Sequence, residues 1–198
     1  MMLQAMEAIT DLGDSALLLP CSAVVFVVLW LLQARRRAFA WAIAIGFCCA
    51  AMVALKVGLQ PCGRPLFGRD LANPSGHAAF AAAFYGSLAL LAIDRVKAAP
   101  SRIAVLVLAA LWIGAIAASR VAIGAHTPPE VAVGLFVGLL SIGLFAVGRG
   151  RAAAPRLALP LIGLLLLGSA LALHGNRARS EDLIHHLSEI FYRSSGLC

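Results

Sequence analysis

The sequence predicts an all-α integral membrane bundle of six transmembrane helices, with a short interfacial helix at each terminus. Hydrophobic residues make up 62% of the 198-residue chain and charged residues only 13%, whereas a soluble domain is about half apolar and about one quarter charged. The mean hydropathy is +0.93. Apolar runs of about 20 residues, the length that crosses a bilayer, recur along the chain. None of them alternates with the period of two expected of a barrel strand, so helices are predicted throughout.

Six apolar runs are the predicted spans, and residues 1–198 are predicted to form one membrane-embedded domain. The runs cover residues 15–33, 38–59, 76–93, 103–119, 131–147 and 157–173. They must be helical because the bilayer core offers no partner to an open backbone group. The last three are near the lower length limit for a span. Gly134 and Gly138 form a GxxxG pair in the fifth run, which favours close packing within the chain over dimerisation.

Two shorter segments flank the spans. Residues 2–9 place Met2, Met6 and Ile9 on roughly one helical face, and residues 181–192 also have an apolar face, with Ser180 as a suitable N-cap. Both segments are too short to cross a bilayer. They are predicted to be helices that lie in the membrane interface.

Basic residues concentrate in alternate loops. The loops after the first, third and fifth runs hold nine Lys and Arg residues and one acid, Asp94. Because cytoplasmic loops carry an excess of basic residues, these loops are predicted to face the cytoplasm, in a multi-pass protein of the cytoplasmic (inner) membrane. The net charge of +7 does not indicate nucleic-acid binding, because the basic residues lie in short clusters between apolar runs.

The helix predicted to begin at Gly76 has the features of an anion site at its start. Pro74 ends the preceding loop and Ser75 is a favourable N-cap, so the helix presents free N–H groups and the positive end of its dipole. Gly76 lets a phosphate approach the backbone closely, and His77 lies one residue into the helix. The alternative is an ordinary capped helix with an incidental histidine, and this string alone does not decide between the two.

A second polar string follows the fourth run. Arg120 lies where the apolar run ends, and its planar fork could bind phosphate oxygens or simply snorkel to the interface. His126 precedes Thr127 and Glu130, which fit a capping box with Pro128 at the first helical position. Glu130 could also accept a hydrogen bond from His126 Nδ1, which would fix the tautomer and leave Nε2 free to attack. The two roles of Glu130 do not exclude each other.

The third string is Lys56 with Arg64-Pro65. Lys56 lies near the end of the second run, where a charge is costly and often functional, and Arg64 is predicted to lie in the following loop. Snorkelling of Lys56 and solvation of Arg64 are the alternatives. The Lys56 to His77 region lies between the second and third spans, and the Ser119 to His126 region lies between the fourth and fifth. Two spans separate these regions, so all three strings emerge on the same, non-cytoplasmic face. Arginines, a lysine and histidines gathered there could hold a phosphate and attack it.

The three strings resemble the signature of the type 2 phosphatidic-acid phosphatase superfamily, the integral-membrane lipid phosphate phosphatases, whose site the vanadium haloperoxidases share. The family pattern is Lys, six residues, Arg-Pro; then Pro-Ser-Gly-His; then Ser-Arg, five residues, His, three residues, Asp. Here the second string matches fully and the third matches from Ser119 through His126. Two departures occur: seven residues separate Lys56 from Arg64, and Glu130 stands where the family has Asp. The motifs cover residues 56–130.

What the resemblance implies is a two-step phosphoryl transfer without a metal site or a cofactor. His126 would attack phosphorus and form a phosphohistidine. His77 would protonate the leaving oxygen and then help to activate water, while Glu130 orients His126. The residues that would bind the substrate phosphate are Lys56, Arg64, Ser75, Gly76 and Arg120.

The expected substrate is a membrane lipid phosphate or diphosphate that enters the site from the bilayer at the periplasmic (extracytoplasmic) face. Undecaprenyl diphosphate is the first expectation, and phosphatidylglycerol phosphate, phosphatidate and lipid A are rivals that the sequence does not separate. No protein partner is inferred. A lipid-to-lipid phosphotransferase and a non-catalytic binder or transporter of phosphorylated lipids are the alternatives. A carrier would more readily place polar residues in mid-span, whereas the charges here lie near span ends, which favours an enzyme.

Overall fold

The computed structural model describes residues 2–67, 71, 73–150 and 155–173, and side chains within 6–59, 71, 73–150, 155–166 and 168. This part of the chain is helical and contains no strand, which confirms the predicted all-α class. The helices, in chain order, are α1 (Met2–Asp11), α2 (Ser15–Leu31), α3 (Arg35–Phe67), α4 (Gly76–Ile93), α5 (Ala99–Ala122), α6 (Pro128–Gly148) and α7 (Ala158–Leu173).

Five stretches of the described chain are long and apolar enough to cross a membrane. They are Met6–Leu31, Arg35–Leu59, Gly76–Ile93, Ala99–Ala122 and Pro128–Gly148. The fourth and fifth predicted spans therefore belong to helices of 24 and 21 residues, longer than their apolar runs because proline-containing N-terminal turns extend them. The sixth predicted span corresponds to α7, which has 16 residues. The predicted C-terminal interfacial helix lies outside the described residues.

The second predicted span ends later than expected. The loop predicted after Leu59 is helical as far as Phe67, so Pro61 and the Arg64-Pro65 pair belong to α3. The prediction placed Arg64 in a loop because prolines usually end helices. Within a membrane bundle, neighbouring groups can take up the freed backbone carbonyls, and the helix continues. The side chain of Arg64 lies outside the described part.

Helix α4 is the centre of the bundle and packs on α2, α3, α5 and α6. Its buried face is made largely of alanines, which allow neighbouring helices to approach closely. Gly134 and Gly138 of α6 face this surface: a Cβ at Gly138 would lie only 2.8 Å from the Ala79 carbonyl oxygen. The prediction that the GxxxG pair serves packing within the chain is therefore confirmed.

An aromatic cluster packs between the helices of the bundle. Trp41 of α3 makes edge-to-face contacts with Phe84 of α4 and Phe145 of α6, at centroid distances of 5.4 and 5.8 Å. The indole Nε1–H donates to the Ser22 carbonyl oxygen of α2 at 3.2 Å, so the buried ring has a polar partner. The cluster joins four helices and fixes the frame on which the polar strings are held.

Candidate active site

The start of α4 is held against α6. Ser75 is fully buried, and its hydroxyl oxygen accepts from the Ala78 N–H, as predicted for an N-cap. Its own N–H donates to the Glu130 carbonyl oxygen at 3.0 Å. Gly134 lies so close to Ser75 that a Cβ there would overlap the Ser75 carbonyl oxygen. The absence of a side chain at Gly134 thus lets the two helix starts come together.

His126 is positioned by the way in which α5 ends. Gly124 adopts φ +70°, a left-handed conformation that suits glycine. The Gly124 N–H donates to the Val121 carbonyl and the Ala125 N–H donates to the Arg120 carbonyl, the bond pattern of a Schellman motif. The His126 N–H also donates to the Arg120 carbonyl, at 3.2 Å. The turn therefore places the His126 backbone directly beside Arg120.

Glu130 makes both of the contacts predicted for it. Its Oε2 accepts from the Thr127 N–H at 3.1 Å, and the Thr127 hydroxyl accepts from the Glu130 N–H, which completes the capping box. The same Oε2 lies 3.2 Å from His126 Nδ1. The carboxylate also accepts from the backbone N–H of Asn73. One buried carboxylate thus links the α6 cap, the histidine and the segment that precedes Ser75.

The neighbours of His126 define its tautomer. Nδ1 lies 3.0 Å from the Asn73 carbonyl oxygen and 3.2 Å from Glu130 Oε2. Because neither neighbour has a hydrogen to give, Nδ1 must carry the proton and donate. In the neutral imidazole, Nε2 then holds the lone pair, which is the state that a nucleophile or base requires.

Burial and nearby positive charges keep His126 neutral. Its side chain is 2% exposed, and this burial is the largest cause that lowers the pKa of His126 below its ordinary value of 6.5. The positive charges of Arg120 and Lys56 lower the pKa further, while Glu130 acts in the opposite direction and is outweighed. At neutral pH the imidazole is therefore in the form that can attack.

Lys56 is brought to the same place from α3. It is 2% exposed, and its Cε would lie 3.9 Å from a Cβ built at Gly76. Its positive charge also lowers the pKa of His126. The structure thus unites six of the eight residues named from the sequence around one point: Lys56, Ser75, Gly76, Arg120, His126 and Glu130. His77 follows Gly76 on the first turn of α4, and the side chain of Arg64 is outside the described part.

The contribution of the N-terminal segment was missed by sequence reasoning. Asp14 Oδ2 lies 3.8 Å from His77 Nε2, while Asp14 Oδ1 accepts from the Ala16 N–H at 2.8 Å and caps α2. Thr10 and Ser119 share a buried hydrogen bond of 2.6 Å. The available signal was Asp14 in the N-cap position before an apolar run, but the sequence did not indicate that this cap faces His77.

The packing of the α1–α2 turn explains how Asp14 reaches His77. A Cβ at Gly13 would lie 2.7 Å from Ile116 Cγ2 and 3.5 Å from the His77 carbonyl oxygen. The Tyr85 hydroxyl donates to the Leu12 carbonyl at 2.8 Å. The turn is therefore seated between α4 and α5, beside the start of α4.

Comparison with known proteins finds a family match over the part of the chain that holds most of these residues. The profile of the PAP2 superfamily matches residues 58–153, a stretch that contains His77, Arg120, His126 and Glu130. The chain belongs to the PAP2 superfamily. The match begins two residues after Lys56, so the place of Lys56 in this PAP2 protein rests on its position beside Gly76.

A Klebsiella pneumoniae protein described as an uncharacterized 22.5 kDa protein in the cps region is a relative of this PAP2 chain. The two are 34% identical over 136 residues, which cover 67% of this chain and 63% of the relative. The chain therefore spans less than two thirds of the length of that relative. No solved structure matches the chain.

Glu130 stands at the position where the PAP2 pattern has an aspartate. The geometry accounts for it: Glu130 reaches His126 Nδ1 at 3.2 Å and still completes the capping box. The additional methylene does not break the contact between the carboxylate and the imidazole.

Proposed function

We propose that this protein is a membrane phosphatase that hydrolyses a lipid phosphate or diphosphate through a phosphohistidine on His126. The single observation that carries the proposal is the environment of His126. Its Nδ1 is held by the Asn73 carbonyl and by Glu130, and its lowered pKa keeps Nε2 unprotonated. A buried histidine fixed in this way, next to an arginine and a lysine, has the properties of a nucleophile toward phosphorus.

In the first step, His126 Nε2 attacks phosphorus. The N–P bond forms while the bond between phosphorus and the leaving oxygen breaks, and His77 gives that oxygen a proton. Arg120, Lys56 and Arg64 stabilise the charge on the equatorial oxygens, together with the free N–H groups at the start of α4. Glu130 stabilises the proton held at Nδ1 as positive charge develops on the imidazole.

In the second step, His77 accepts a proton from water, and the water oxygen attacks phosphorus. The N–P bond breaks, inorganic phosphate leaves and His126 returns to its neutral tautomer. None of these steps requires a metal ion. His77 therefore acts as the acid in the first step and as the base in the second, and it ends the cycle protonated, as it began.

The substrate is proposed to enter from the bilayer. The motifs lie at helix starts and ends of an apolar bundle, where a phosphorylated headgroup would meet the site while its tail stays in lipid. Undecaprenyl diphosphate remains the first proposed substrate, ahead of phosphatidylglycerol phosphate, phosphatidate and lipid A. The loop charges support a site on the periplasmic face of the inner membrane.

The test is phosphate release from undecaprenyl diphosphate and from phosphatidate in detergent with EDTA present. Wild type is compared with His126→Ala and with Arg156→Gln, a control at an exposed arginine on the opposite face. We expect release by wild type and by the control, and loss of release with His126→Ala. Brief incubation with a ³²P-labelled substrate should also trap an acid-labile phosphoprotein that the His126→Ala variant lacks.

The outcomes separate the alternatives. Unchanged release with His126→Ala would contradict the assignment of the nucleophile. Product formation only after an acceptor lipid is added would indicate a phosphotransferase. Saturable lipid binding by wild type without phosphate release or protein labelling would indicate a binder.

A further inference from the structure

A polar groove opens at the end of the bundle opposite His126. Its volume is about 850 Å³, and its polar lining consists of Arg36, Arg102, Arg149 and Asp94. Helices α4 and α6 begin at the catalytic cluster and end beside this groove, after 18 and 21 residues. At 1.5 Å per residue this is a distance of about 27–31 Å, the thickness of the apolar core of a bilayer. The groove therefore lies at the other membrane surface.

The groove has an excess of positive charge. Asp94 is its one carboxylate among the described residues, and both of its oxygens are engaged. Oδ1 accepts from Arg149 Nη1 at 2.7 Å and Oδ2 accepts from Arg37 Nη2 at 2.9 Å. Three arginines thus line a groove with a single acid, and Arg37, which also pairs with that acid, adds a fourth positive charge. An anionic ligand would balance this charge.

Backbone groups at the end of α6 hold the side chain of Arg36 in place. Its Nε donates to the Gly148 carbonyl oxygen at 2.9 Å. Gly150, with φ +72°, lies against the same guanidinium: a Cβ there would be 3.1 Å from Arg36 Nε. Since the bond to Gly148 uses Nε, the two Nη groups remain as a fork of the kind that binds phosphate oxygens bidentately.

The surroundings of the groove are those of a lipid headgroup. Val147 lines it and is 82% exposed, and Ile103, one residue after Arg102, is 62% exposed. A ligand whose phosphate meets the arginines would therefore have its apolar part beside a lipid-facing surface. Basic pockets between helices at a membrane surface are recognised sites for anionic headgroups.

We infer that this groove binds the phosphate of an anionic membrane phospholipid, with Arg36 and Arg102 as its principal contacts and Arg149 held in place by Asp94. The inference goes beyond the proposed hydrolysis, because the ligand is a phosphodiester bound at the membrane surface opposite His126. The bound lipid would tie the ends of α3, α5 and α6 together.

The experiment compares lipid retention by the full-length protein. Protein in detergent is incubated with equal amounts of phosphatidylglycerol and phosphatidylcholine of matched chains, and native mass spectrometry gives the ratio of bound lipids. Wild type should retain phosphatidylglycerol preferentially. In the Arg36→Gln/Arg102→Gln double variant the ratio of bound phosphatidylglycerol to bound phosphatidylcholine should be about 10-fold lower. This is the change expected when charge-assisted bonds to a phosphate are removed. Arg156→Gln, a change of the same kind at an exposed arginine outside the groove, should keep it.

Two further measurements make the result decisive. Arg102 is exposed, so Arg102→Gln alone should fold normally and show an intermediate loss of preference even if the double variant is unstable. The melting temperature is also measured with phosphatidylglycerol and with inorganic phosphate alone, and only the lipid should raise it. An equal effect of inorganic phosphate, an equal loss in Arg156→Gln, or unchanged preference in both groove variants would overturn the inference. Phosphate release by the same preparations tests the His126 site independently.

Discussion

A single methyl group added at Gly134 should push α6, which carries Glu130, away from the start of α4, which carries Ser75. In Gly134→Ala the new Cβ would overlap the Ser75 carbonyl oxygen and lie 3.3 Å from Ala78 Cβ. Close-packed helices have no space to absorb the group. To restore an ordinary contact of 3.4 Å between the new Cβ and the Ser75 oxygen, α6 and the start of α4 would have to separate by about 1 Å. The hydrogen bond from the Ser75 N–H to the Glu130 carbonyl crosses this contact.

The expected magnitudes follow from this displacement. Overpacking costs about 1–3 kcal/mol, and the better helix propensity of alanine returns up to about 1 kcal/mol. The net loss of stability should therefore be about 0–2 kcal/mol. The effect on catalysis should be larger, because a shift of about 1 Å between reacting groups can lower the rate about 100-fold. Phosphate transfer would fall while the bundle remains folded.

The assay combines melting temperature in detergent with initial rates of phosphate release. Gly143→Ala is the matched control, since it makes the same change on the same helix at a position where a Cβ would have nothing within 4 Å. We expect Gly143→Ala to keep the wild-type rate within about twofold and to be neutral or slightly more stable. Wild-type activity and stability in Gly134→Ala would refute the reasoning, and equal losses in both variants would show that the effect is not specific to Ser75.

Three other substitutions test the electrostatics of the site. Glu130→Gln removes the charge that holds His126 Nδ1–H, and kcat should fall about 10²–10⁴-fold in steady-state assays; a loss below about tenfold would contradict the orienting role. Because the pKa of His126 is lowered, the acidic limb of the kcat/KM profile should lie below pH 6.5. Arg120→Gln removes a charge that lowers this pKa and should move the acidic limb to higher pH; a shift of that limb in the other direction would contradict the assignment. Asp14→Asn keeps a good N-cap but removes the charge beside His77. The value of kcat/KM, which reports the first step, should therefore fall about tenfold for the lipid phosphate and stay near wild type for para-nitrophenyl phosphate, whose leaving group needs no proton. Equal falls in kcat/KM for both substrates would argue against proton donation by His77.

Local features of the site could be read from the sequence because they depend on neighbouring residues. Ser75 before an apolar run predicts an N-cap, and Thr127 with Glu130 predicts a capping box, since both arrangements satisfy backbone groups within four residues. The apolar runs predict the spans for a similar reason: the bilayer sets the length of a helix without reference to its neighbours. The predicted end of α3 was wrong, because a proline is a weak stop signal where neighbouring helices can bond the freed backbone carbonyls.

The contacts that make these strings a site depend on how the helices cross. Nothing local to Asn73 indicates that its carbonyl oxygen, with Glu130, fixes the tautomer of His126, and nothing local to Asp14 indicates that it faces His77. The charge of Lys56 reaches His126 only because α3 passes beside Gly76. These residues are far apart in the chain. The close approach of α4 and α6 at Gly134 brings Ser75 to Glu130, and the seating of the α1–α2 turn between α4 and α5 brings Asp14 to His77. By itself, the sequence determined the membrane class, the helices and the residues able to handle a phosphate; the tertiary structure decided which of them meet, because helix packing is a non-local property of the whole bundle.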